Sequence, residues 1–210
     1  MNYEASNQTE LDGILSKNKK ELMYSTIELS PSTYKIGKIP YSHIRFIRSS
    51  SWHENAPQII FDNLVAPSDI DFVEVNVIHG EATLSKRTRF LNCTLFKTII
   101  NKATLAECLV RKSIIHVYPQ QEYFRIGEQS VEYQFKDKTD EEREEIAKMT
   151  RVTNIPFFQC CSFEDCTIDK ANVYFDWAGR NIFQDTNIDE IRRVGDSSKH
   201  LVKENLFIMN

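Results

Sequence analysis

The sequence contains no apolar run approaching the ~20 residues that a bilayer-spanning helix needs. Its opening stretch, MNYEASNQTELDG, lacks the basic segment followed by an apolar one that marks a secretory leader. These two absences set the expectation of a soluble, cytoplasmic protein without membrane contact. No CxxC pair occurs and the five cysteines are odd in number, which argues against a disulfide framework and makes reduced thiols the default. HExxH is absent and the five histidines show no paired ligand spacing, so no metal site is expected. Walker A loops, GxGxxG and GxSxG are missing too, which removes the usual signals of nucleotide binding and nucleophile-elbow hydrolysis. No cofactor is expected.

What is present is an ordinary globular composition, 41% hydrophobic and 27% charged, in 210 residues, enough for one domain with a sizeable core. The informative feature is a period that belongs to neither helix nor strand. Written in fives from Thr88, the chain reads TRFLN, CTLFK, TIINK, ATLAE, CLVRK, SIIHV. The third place is always large and apolar: Phe90, Leu95, Ile100, Leu105, Val110, Ile115. The first is always small: Thr88, Cys93, Thr98, Ala103, Cys108, Ser113. A second run starts near Pro156 in a different phase, with Phe158, Phe163, Ile168, Val173, Ala178, Phe183 and Ile188 as the large column. Cys161, Cys166, Ala171 and Thr186 are its small column, from which Asp176 and Asn181 depart. From Asn63 an earlier stretch puts Val65, Ile70 and Val75 in the large column before Gly80 and Ser85 break it.

A five-residue segment with this pattern sends its central side chain inward, and the residue two places earlier inward as well, near a corner where only a small group fits. The other three places face water. Cys93, Cys108, Cys161 and Cys166 then act as small hydrophobes, and Cys160 points outward.

The alternation of a small residue, any residue, a large apolar residue and two polar ones resembles the pentapeptide-repeat family. That resemblance covers about 55 residues (63–117) and about 35 more (156–190). It implies a mainly β fold, a right-handed, four-sided β-helix, in which residues twenty apart stack: Phe90 on Val110, Leu95 on Ile115, Cys93 on Ser113. Stacked repeats bury a core that no single repeat could bury, and their ends need caps. Residues 1–60 are expected to supply one cap, with a short helix over 8–23 and strands over 34–48 and 58–65. Residues 191–210 are expected to supply the other. The solenoid itself then occupies 61–117 and 156–190. Between these runs, 118–155 has no period of five. Phe124 and Ile126 against Val131, Tyr133 and Phe135 predict a hairpin through GEQS, and Thr139 with Glu142 opens a short acidic helix reaching Met149. An insertion of this length should project from the rod as an arm.

Charge is uneven along the chain. Residues 81–112 balance at +5 and residues 162–190 at -5, within a net charge of -4. A polarised rod can steer and orient a charged partner. These features point to a non-enzymatic module that binds, and inhibits or protects, a protein partner. Glu141, Glu142, Glu144 and Glu145 on the arm, Lys97, Lys102 and Lys112 on the first run, and Glu164, Asp165 and Asp169 on the second are the candidate binding residues. Direct nucleic-acid binding is not expected, and a capping end offers a surface for a homodimer. Two alternatives stand beside this reading. Some pentapeptide-repeat proteins are similar to duplex DNA in shape and charge and act on type II topoisomerases, which the acidic second run fits and the basic first run does not. A β-helical carbohydrate-active or acyl-transferring enzyme would use the cluster Asp69, Asp71, Glu74 and His79, although no catalytic residue is assigned.

Overall fold

The computed structural model describes residues 1–50, 55–67, 69–84, 88–101, 103–116, 157–174, 181–194 and 206–208. Within them the protein is mainly β: one 19-stranded sheet, all of whose pairings are parallel, with two short helices near the amino terminus. Parallel partners need a crossover of a dozen residues or more between them. Here the crossover consists of other short strands, so the chain visits three ladders in turn. The first ladder pairs Ile27, Phe46, Phe72, Phe90, Leu105 and Phe158 in succession. The second pairs Tyr34, Ile59, Val77, Leu95, Val110, Phe163 and Phe183. The third pairs Leu64, Ala82, Ile100, Ile115, Ile168 and Ile188.

The sheet curls so that all three ladders feed one buried cluster, which contains every one of these central residues except the partly buried Ile188, itself packed against the cluster. Aromatic rings stack at the spacing of the rungs: Phe46 on Phe72 at 5.3 Å, Phe72 on Phe90 at 5.0 Å, Phe163 on Phe183 at 5.0 Å. The alternation of inward and outward side chains along each strand explains the small column. Cys93, Thr98, Ala103, Cys108, Ser113, Cys161 and Cys166 are buried two places before their central residues, and Cys160 is exposed, as the sequence pattern predicts.

Two sequence expectations are corrected by the register. Residues twenty apart do not stack in the first run. Phe90 pairs with Leu105, Leu95 with Val110 and Ile100 with Ile115, so the interval is fifteen in place of twenty. The Cys93 carbonyl accordingly accepts from Leu109, which sets Cys93 beside Cys108 and not Ser113. Intervals of twenty occur in the second run, Phe163 to Phe183 and Ile168 to Ile188. The second correction concerns phase. Val65 is 63% exposed while Leu64 is buried, and the ladder centres near it are Phe72 and Val77. Ile70 and Val75 are buried, but in the places expected to be small.

Corners are made by one residue in the left-handed conformation. Asn92, Lys97, Glu107, Lys112, Cys160, Asp165 and Asp185 all have φ between 47° and 55° and stand three places before the next centre. After glycine, asparagine and aspartate adopt that region most readily, so lysine and glutamate are held there by the pairing on either side. Asn181 replaces a small residue differently. It is fully buried, its Oδ1 accepts from the Cys161 N–H at 3.0 Å and its Nδ2 donates to the Phe158 carbonyl at 3.0 Å.

Residues 1–60 do more than cap. Asn2–Ala5, Ser25–Leu29, Thr33–Lys38 and Ile44–Arg48 are rungs of the same ladders. The expected helix over 8–23 is two, α1 (Gln8–Leu15) and α2 (Lys19–Leu22), with Leu11, Ile14 and Leu22 buried. Asn7 caps α1 by accepting from the Glu10 N–H, and the Glu10 carboxylate accepts from the Ser6 N–H at 2.8 Å, a reciprocal cap. Gln8 lies against the outermost strand of the second ladder. Its amide donates to the Lys35 carbonyl at 3.0 Å and accepts from the Lys35 N–H at 2.6 Å, standing where another strand would pair. The predicted hairpin and acidic helix of the insertion lie outside the described residues, as do Ser85 and Ala178.

Candidate functional site

The outer surface of the first ladder carries a row of polar residues, one per rung: Thr26, Arg45, Asp71, Arg89 and Thr104. At its margin Tyr24, His43 and Asp69 occupy successive left-handed corners, each with φ near 60°. The Tyr24 and His43 rings stack at 4.6 Å, 8° from parallel, and His43 Nδ1 is 3.7 Å from Asp69 Oδ2. Asp71 is held by both nitrogens of one edge of Arg89, Nε at 2.7 Å and Nη2 at 2.6 Å. That bond also raises the affinity of Arg89 for its proton. Between these groups lies a recess of about 510 Å³ lined by His43, Ile44, Arg45, Asp69, Asp71, Arg89 and Thr104.

The expected cluster of Asp69, Asp71, Glu74 and His79 is therefore only partly assembled. Glu74 pairs with Arg48 at 2.8 Å, and exposed His79 stands in the strand Asn76–Thr83 between the second and third ladders. Asp71 and Glu74 each face an arginine from a neighbouring rung, and Asp69 faces the His43 ring. Sequence reasoning passed over His43 and Arg45. The signal was available: Ile44 with Phe46 and Ile70 with Phe72 are the same inward pair, and aligning them sets His43 beside Asp69 and Arg45 beside Asp71.

A second surface runs along the edge between the second and third ladders. There Lys97, Lys112, Asp165 and Asp185 follow one another through the corner bonds Lys97 N–H to the Arg111 carbonyl, Lys112 to Glu164 and Asp165 to Gln184. All four are exposed, and the charge reverses midway along the edge. Beside them Arg111 Nε meets Glu164 Oε2 at 2.6 Å, and His116 Nδ1 meets Asp169 Oδ2 at 2.8 Å. Of the candidate binding residues, Lys97, Lys112 and Asp165 share this edge, while next to it Glu164 is engaged in an ion pair with Arg111 and Asp169 in a hydrogen bond with His116. Asp185 extends the same edge and was not singled out. Lys102, Glu141, Glu142, Glu144 and Glu145 lie outside the described residues.

The edge and the first ladder differ in continuity. From the second ladder to the third, consecutive centres are always five apart, as from Val77 to Ala82, Leu95 to Ile100 and Phe163 to Ile168. Into and out of the first ladder the interval swells to eight between Ala82 and Phe90, thirteen between Phe46 and Ile59, and forty-three between Ile115 and Phe158. Among the described residues these lengthened intervals lie at the margins of the first ladder, while the passage from the second ladder to the third has only local register shifts, between Ile36 and Lys38 and over Ile59–Leu64.

Inside, Cys93, Cys108 and Cys161 stack on successive rungs of the second ladder. Cys93 Sγ donates to the Phe72 carbonyl at 3.3 Å, Cys108 Sγ to Phe90 at 3.4 Å and Cys161 Sγ to Leu105 at 3.3 Å. Hydrogen bonding to the Cys161 and Cys93 thiols, with burial, pushes the Cys108 thiol up, and burial raises Cys166. Enclosed thiols that hold their protons this way, as at Cys108 and Cys166, are packing groups. Among the described residues no helix is long and apolar enough to cross a membrane. No family model, curated protein or solved structure matches the chain.

Proposed function

We propose that the protein is a non-enzymatic interaction module, a pentapeptide-based β-helical solenoid with three sides per turn that binds a protein partner through its charged outer surface. The three parallel ladders and the fifteen-residue interval support the solenoid. The observation that carries the function is the edge of Lys97, Lys112, Asp165 and Asp185. It is uninterrupted, exposed and rigidly spaced, and its sign changes once along its length. A bipolar edge selects a partner of opposite polarity and fixes its direction. It suits mimicry of a uniformly acidic DNA duplex less well, because Lys97 and Lys112 belong to the same edge. The engagement of Asp71 by Arg89 and of Glu74 by Arg48 supports a non-enzymatic role, since a general acid and base need free proton-transfer positions.

The test is capture of the native partner by wild-type protein and by a Lys97→Glu, Lys112→Glu double variant, each first shown to be folded by circular dichroism. Association with the double variant should slow by about tenfold at low salt, with the difference shrinking as salt rises. Equal capture by both chains at every salt concentration would remove the edge from the binding surface.

A further inference from the structure

We infer that the recess on the first ladder is a second binding subsite, one that takes the carboxylates of an acidic, extended segment of a protein partner. This inference rests on the interaction-module reading above and assigns a face and a chemistry to it. The argument begins with a count of hydrogen-bonding groups. Both Asp71 oxygens are taken by one edge of Arg89, and Asp69 sits against His43. The Asp71 acceptors of the recess are therefore spent. Its donors are not: Arg45 is exposed and has no ion-pair partner among the described residues, Arg89 keeps the N–H groups of its other edge, and Thr104 adds a hydroxyl. A site with donors in surplus binds a ligand rich in acceptors, and planar guanidinium groups match carboxylates best.

Shape narrows the occupant. Arg45, Asp71, Arg89 and Thr104 stand on four successive rungs, a row about 14 Å long at ~4.8 Å per step. A row of that length fits several residues of an extended chain and exceeds a single compact anion. Its place in the fold agrees, because the departures from the period of five flank this ladder, and in repeat proteins the decorated face is the recognition face. Bulk charge does not explain such binding: the protein is net negative, at -4, and repels an acidic peptide except where donors are concentrated.

The test uses the full chain and fluorescein-labelled hexaglutamate, read by fluorescence anisotropy, with hexalysine and inorganic phosphate as comparison probes. Arg45→Gln should weaken hexaglutamate binding by at least tenfold, while Arg111→Gln, on the second ladder, should change it by less than twofold. Both variants are at exposed positions, and thermal unfolding should show them as stable as wild type. Equal weakening by the two variants would attribute binding to general charge and overturn the assignment. So would preference for hexalysine, or Arg45-dependent binding of phosphate without binding of hexaglutamate. Failure here with partner capture still sensitive to Lys97 and Lys112 would sink only the recess; loss of that sensitivity alone would sink the edge and leave the recess standing.

Discussion

The edge between the second and third ladders and the margins of the first ladder enclose the same core, yet one keeps strict length and the other does not. At the edge between the second and third ladders Lys97, Lys112, Asp165 and Asp185 are each a single left-handed residue whose N–H bonds to the next rung, as Lys112 does to Glu164 at 3.0 Å, while the rung before them turns at Gly80 with φ of 116°. At the margins the connection absorbs extra residues and pairing resumes in register, with Phe90 still on Phe72 although it follows Ala82 by eight places. The conserved element of the architecture is thus the inward pair, a central residue and the one two places before it. The corner is obligatory only where nothing else leaves the stack. Rigidity and decoration are sorted onto different sides, which makes one side a ruler and the other a mounting face.

The comparison breaks most severely if its shared premise, the common core, is removed. Leu105→Asp places an unpaired charge among fully buried side chains and should cost about 4 kcal/mol or more, read as the shift in urea midpoint, whereas Lys112→Asp at the strict edge should cost under about 1. Similar losses from both would mean that inside and outside are wrongly assigned. A direct contrast of the two sides comes next. Inserting Gly-Ser-Gly after Lys112 should cost about 2 kcal/mol, because it removes a corner hydrogen bond and displaces the following rung; the same insertion after Pro67, at a margin, should cost under about 1, mostly as loop entropy. Equal costs would abolish the distinction. The smallest effect sharpens it: Lys112→Asn should raise stability by roughly 0.5 kcal/mol, since asparagine tolerates φ of 49° better than lysine, and thermal unfolding should register the gain.

The period of five was legible because Leu, Ile, Phe and Val at one place and Cys, Thr, Ala and Ser two places earlier record a packing constraint that no helix or strand produces. The pairing interval was not legible. Any side of five residues gives the same local pattern, and whether Phe90 meets Leu105 or Val110 depends on how sharply the chain turns at Asn92, Lys97 and their counterparts. The phase before Thr88 misled for a specific reason: Ile70 and Val75 are apolar at places expected to be small, so Phe72 and Val77 were hidden behind them. Much the same holds for the surface. Asp69, Asp71 and Glu74 stand out in the sequence, but their partners His43, Arg89 and Arg48 come from other rungs and appear only once the register is known.

Gln8 gives the molecule an end-stop. The outermost strand of a parallel sheet is a template on which another chain can lay its own backbone, and a stack of identical rungs is open to elongation like a growing polymer. At Lys35 both backbone groups of that outermost rung are already spent on one side-chain amide. A single glutamine therefore does chemically what a terminator unit does in a polymerisation, and growth of the stack past Thr33–Lys38 would first have to displace it.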